Sequence, residues 1–170
     1  MIKARTALAV AAASFIAAGA FAATSLPKGR PGQWIVAQHA ANGQDYISKL
    51  CSNDATQADM MAIVSGVYRS LCTRLDVTSD GNKVQVDALC RSGQAVLTLK
   101  SVITYSGDSA FHVSNDSKYA PAFLGKAETR GTSDAHWDGG CSFGMAPGDM
   151  IGSTGLRARF SNAGTVAALR

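Results

Sequence analysis

The chain has 170 residues, of which 46% are hydrophobic, 16% charged and 17 are glycine, a balance that excludes a disordered, collagen-like or multidomain protein and leaves one globular unit. The formal net charge of +4 falls to +2 once Lys3 and Arg5 are set aside, too small and too scattered for a phosphate-binding stripe, so nucleic acid is not expected as a partner. Glu128 is the lone glutamate among twelve acidic residues, and aspartate favours turns and caps over helix interiors, which leans the chain towards β structure.

Residues 1–22 read as a cleaved signal peptide, because Lys3 and Arg5 make a basic start, residues 7–15 an apolar run, and Ala20-Phe21-Ala22 offers small residues around a cut. Cleavage near Ala22 leaves 148 residues, periplasmic or secreted, soluble and with no membrane contact. An uncleaved anchor is the alternative. The first cysteine, Cys51, is far from the cut, which disfavours a lipid-modified N-terminus.

Residues 23–32, with Pro27, Gly29, Pro31 and Gly32, form a short stiff linker. Residues 33–38 then make a first strand with Trp34 and Val36 on one face. Asn53 or Asp54 caps a helix over residues 55–65, on which Met60, Met61, Val64 and Val67 or Tyr68 recur at helical spacing as core filler. From Leu71 the period becomes two. Residues 71–77, 83–91, 95–105 and 110–113 are strands of a meander separated by Asp-Gly, Ser-Gly and Ser-Gly-Asp turns, with weaker strands at 123–129, 135–138 and 156–160.

Four cysteines in an oxidising compartment give two disulfides. Cys72 and Cys90 stand symmetrically about Gly81 in the turn Ser79-Asp80-Gly81-Asn82, so they pair across a hairpin and leave Cys51 to Cys141. The apolar pattern prefers a register one residue different, with Val77 facing Val84 and Leu75 facing Val86, and a β-bulge on one strand reconciles the two.

Several short motifs, Pro31-Gly32-Gln33-Trp34, Cys51 before a helix, Cys72 and Cys90 around a Gly-Asn turn, Ile103-Thr104-Tyr105-Ser106-Gly107-Asp108, and Trp137-x-Gly139-x-Cys141, together resemble the bacterial exported family known only as domain of unknown function 3617. The resemblance spans residues 31–141. It implies a periplasmic, mostly antiparallel β protein with paired cysteines, and no established activity or catalytic residue. The chain departs from that family by continuing past its last cysteine and by lacking a methionine- and proline-rich insert after the first strand.

No motif for chemistry carries conviction. Asp76-x-Thr78-x-Asp80-Gly81 with Asp87 imitates a calcium loop, yet Lys83 and the strand-like flanks fit an ordinary hairpin better. Asp134-x-His136-x-Asp138 aligns three ligands on one face of a strand, but zinc would need His39 or His112, and nothing in the sequence brings them near. Ser106 and Ser142 lack a nucleophile-elbow pattern. No cofactor and no enzymatic activity are expected.

The expectation is thus a signal peptide at 1–22, a linker at 23–32, a disulfide-stapled β domain at 33–141 and a C-terminal extension at 142–170. The fold is a mainly β antiparallel meander curling into a half-open or lipocalin-like barrel with one short helix. A small apolar ligand is the leading candidate for function, its cavity lined by Trp34, Val36, Val84, Val86, Leu97, Val102, Ile103 and Phe111. The alternative is an envelope interaction module that docks a protein through a sheet edge or the C-terminal tail.

Overall fold

The computed structural model describes residues 27–40, 43–160 and 166–169, so the expected signal peptide lies outside the described residues. The described residues form one antiparallel sheet of ten strands, in the order β10-β9-β8-β2-β1-β7-β6-β5-β4-β3. The strands are β1 (Gly32–Ala40), β2 (Asp45–Ser52), β3 (Cys72–Asp80), β4 (Lys83–Ser92), β5 (Ala95–Ser106), β6 (Ala110–Phe123), β7 (Lys126–Trp137), β8 (Asp149–Ile151), β9 (Arg157–Phe160) and β10 (Val166–Leu169). Among the described residues a single helix, α1 (Asp54–Leu71), links β2 to β3. The mainly β class, the meander from β3 to β7, the helix and both disulfides agree with the sequence reading. The sheet is not closed into a barrel, so its lipocalin-like form gives way to an open sheet.

Helix α1 begins where the sequence places it. The Asn53 side chain accepts from the Thr56 amide at 2.9 Å while Thr56 Oγ1 accepts from the Asn53 amide at 2.8 Å, a reciprocal capping box. It runs six residues past the expected end at Ser65, because Val67, Tyr68 and Leu71 continue the apolar stripe and Gly66 alone does not stop a helix. It stops at Cys72, whose backbone is extended and whose sulfur is bonded to Cys90. Asn53→Ala removes the cap and lowers stability by about 1 kcal/mol, measured as a fall in the urea midpoint with an unchanged slope.

In the β3–β4 hairpin Asp80 pairs with Lys83 across a two-residue Gly81-Asn82 turn, with Gly81 at φ 56°. Cys72 lies opposite Cys90, and a register shift follows before Arg74 meets Leu89. The expected bulge is therefore present. Beyond it Val77 faces Val86 and Leu75 faces Ala88, two residues from the expected partners on the same face, because the tight turn sets the count.

Strand β2 escaped the sequence reading because Tyr46 and Ile47 are apolar on opposite faces and Lys49 interrupts one of them. Strands β6 and β7 are much longer than expected, since the polar runs 114–118 and 130–134 still pair on both sides. The C-terminal extension joins the same sheet, β8 against β2, with β9 and β10 following. There the Asp149 carboxylate, 1% exposed, accepts from Arg159 Nε at 2.5 Å, Arg159 Nη2 at 3.0 Å and the Ala146 amide at 2.9 Å.

Pairing across the sheet assigns every strand residue to one of two faces. One holds Trp34, Val36, Leu50, Leu75, Val77, Val84, Val86, Ala88, Leu97, Leu99, Ile103, Tyr105, Phe111, Val113, Ala135 and Trp137. The charged residues and histidines stand on the other face from β1 to β9, leaving aside Lys126 past the irregularity in β6. The helix lies on the apolar side, for Gln57 bonds to both the amide and the carbonyl of Gly29, which rests on the Trp34 ring.

Curvature follows from length. On a flat sheet the Ser52 end of β2 and the Cys72 end of β3 would be roughly 50 Å apart, six strand spacings across and about thirteen residues along. The 18-residue helix that joins them spans only about 27 Å. The sheet must therefore coil so that its apolar face is concave and α1 runs as a chord across it. Among the described residues the enclosed apolar side chains are few and mostly small, namely Trp34, Val84, four alanines and two cysteines. A core this thin depends on its cross-links.

Candidate functional site

Seven of the eight candidate lining residues, Trp34, Val36, Val84, Val86, Leu97, Ile103 and Phe111, share the concave face. Val102 does not. It pairs with Gln85 and Ser114 on the convex face and is 38% exposed, because side chains alternate along β5 and its neighbour Ile103 takes the inner side.

Trp34 anchors one end of the concave surface. Its Nε1 donates to the Arg30 carbonyl at 2.9 Å, and Phe111 lies 5.7 Å from it, with Tyr105 a further 5.9 Å along. Trp34 and Val84 are enclosed, whereas Val36, Val86, Leu97, Leu99, Ile103, Phe111 and Val113 remain part-exposed.

The opposite wall is α1. Its apolar arc carries Gln57, Met60, Met61, Val64, Val67, Tyr68 and Leu71, with Asp54 at its edge beside Met61 and with Asp59 and Arg69 on the other side of the helix. Gln57 fixes that arc towards the sheet, and burial pushes the Tyr68 hydroxyl pKa up, as it does for Tyr105 across the cleft. Yet Met61, Val64, Val67 and Leu71 keep 41%, 45%, 50% and 50% of their surface exposed. The helix approaches β2 and β9 and also β3 and β4, with no comparable approach to β5, β6 or β7. Both apolar surfaces keep much of their area exposed, and the sheet wall carries no charge.

The convex face holds a different arrangement. His39 Nδ1 lies 2.8 Å from Asp45 Oδ1, His39 Nε2 lies 3.3 Å from Asp134 Oδ2, and His112 Nδ1 lies 2.8 Å from Asp134 Oδ1. The structure thus brings both His39 and His112 to Asp134, a meeting created by the β1–β7 and β6–β7 pairings. His136 is not part of it, and Asp138 lies past the strand end, accepting from Gln33 Nε2 at 2.9 Å. Among the described residues no group of three His, Cys, Asp or Glu side chains is arranged to hold a metal. The calcium-like stretch is the β3–β4 hairpin, where Asn82 Nδ2 donates to the Tyr105 carbonyl at 2.8 Å. Further along, Thr98, Lys100, Asp116 and Lys118 line a depression of about 270 Å³, in which Lys100 faces Asp116 across the strands.

The Asp45 carboxylate at Nδ1, helped by Asp134, raises the pKa of His39, and the hydrogen bond from His112 holds Asp134 below the usual carboxylate range. A raised folded pKa means that the contribution of His39 to stability is complete below its unfolded value and is lost as pH rises through the folded one. Titration of the imidazole resonances by NMR reads this directly. The His39 midpoint stands above about 6.5 and falls towards it in Asp45→Asn, and a midpoint unmoved by that change would contradict the assignment.

The chain matches no protein-family model, no curated protein and no solved structure. The resemblance to domain of unknown function 3617 therefore rests on its short motifs alone. Leu99, Tyr105 and Val113 belong to the concave surface and were missing from the sequence reading. Strict alternation from Leu97 to Tyr105 would have found the first two and removed Val102.

Proposed function

We propose that the protein is an exported, non-enzymatic binding protein that holds a small apolar ligand between α1 and the concave face of the sheet. The observation that carries this reading is that the apolar arc of α1 and the uncharged apolar face of the sheet lie on the same side of the sheet and leave each other part-exposed. Export is supported by the signal-like residues 1–22 and by the engagement of all four cysteines in disulfides. Among the described residues no helix is long and apolar enough to cross a membrane. The family resemblance agrees with a periplasmic location and adds no activity.

Docking through a sheet edge has less support. The β3 edge exposes Arg74, Asp76 and Asp80, charges of the kind that block strand addition, and residues 166–169 are engaged with β9.

The test is the melting temperature of the oxidised protein with added long-chain alcohol. The transition rises with ligand, by an amount equivalent to about 2.7 kcal/mol at a hundredfold excess over Kd. Ile103→Glu places a charge in the cleft and weakens binding at least about tenfold, whereas Val102→Glu on the convex face leaves it unchanged. Equal loss in both variants would remove the cleft as the site.

A further inference from the structure

Resting on that reading, we infer that the cleft selects uncharged amphiphiles, with a hydroxyl or carbonyl of the ligand held by a polar notch of Ser101, Asn115 and Ser117. Ser101 on β5 and Asn115 on β6 are directly paired on the concave face, and Ser117 is the next residue of β6 on that face. Beyond Asn115 the partner on β7 is Gly131, which has no side chain, so the floor drops there. Apolar residues flank the notch, with Leu99 and Ile103 along β5 and Val113 along β6.

Ser101 is 7% exposed and Asn115 and Ser117 are part-exposed, and among the described residues their hydroxyls and amide make no hydrogen bond to another residue. None of the three is sealed from solvent, since Arg157 Nε is the only buried side-chain polar atom without a partner among the described residues, so a ligand that covers them must replace the water they bind. Between them an amide and two hydroxyls both donate and accept, so they suit an alcohol or an ester carbonyl equally. Two competitors are disfavoured by the same chemistry. A plain hydrocarbon would desolvate the notch without pairing it, and a carboxylate would lose its hydration on a face with no lysine, arginine or histidine to replace it.

The experiment uses the full oxidised chain and the neutral reporter N-phenyl-1-naphthylamine, displaced by dodecanol, dodecane and dodecanoate. Dodecanol displaces at about tenfold lower concentration than dodecane, and dodecanoate competes poorly at neutral pH but improves as pH falls through the carboxylate range and it becomes uncharged. In Asn115→Val and in Ser101→Ala the alcohol weakens towards the hydrocarbon, while displacement by dodecane is unchanged and confirms folding. Equal displacement by alcohol and hydrocarbon in the unaltered protein, or dodecanoate as the best competitor at neutral pH, would overturn the notch and leave the apolar site standing. A reporter that does not bind at all would overturn the binding reading itself, and the notch with it.

Discussion

The double variant Cys51→Ala/Cys141→Ala loses roughly 4 to 5 kcal/mol of stability in a urea titration, the largest change expected from any one site. The bridge joins residues 90 apart in sequence, and the chain-entropy cost that it removes from the unfolded state grows with that separation. Cys72–Cys90, with a separation of 18, is worth about 3 kcal/mol on the same reckoning. Position matters as well. Cys51 is fully enclosed at the end of β2, and its carbonyl accepts from the Gly148 amide at 2.8 Å, so the bridge pins the segment after β7 where the chain returns to form β8. With so few large side chains enclosed, little else is available to offset its loss. A change below about 1 kcal/mol would mean that the sheet holds its closing strands without the bridge.

Trp34→Ala costs about 3 to 5 kcal/mol, from the lost transfer of a large ring and the cavity left behind. The ring is 5% exposed and packs on Gly29 and Phe111. Its removal also strands the Arg30 carbonyl and loosens the strap that Gln57 ties to α1. Trp34→Phe keeps most of the packing and loses the hydrogen bond, so it costs less. Trp137 remains as the fluorescence reporter in both variants. Equal costs for alanine and phenylalanine would place the contribution in the hydrogen bond rather than in the ring.

Local patterns and fixed counts were legible before any coordinates. Symmetry about Gly81 paired Cys72 with Cys90, and a bulge in the hairpin was expected, although the apolar register that suggested it, Val77 with Val84, is two residues from the one the strands adopt. What stayed hidden depended on contacts remote in sequence. Strand β2 has no clean apolar face of its own and exists because β1 and β8 pair with it. The end of α1 was misread because Leu71 suits a strand as well as a helix, and only the tether at Cys72 decides the boundary. The approach of His39 and His112 to Asp134 follows from β7 lying between β1 and β6, an order that no local motif encodes. For the concave site the period of two was sufficient almost everywhere, and Val102 failed because an apolar residue was counted without its parity.

The most direct test of the account is intermolecular NOE spectroscopy on the isotope-labelled, oxidised protein with unlabelled dodecanol. Contacts from the alkyl chain to Met61 and Val64 on α1, together with Ile103 and Phe111 on the sheet, are the predicted result. Contacts to Val102 on the convex face, or none to either wall, would contradict it.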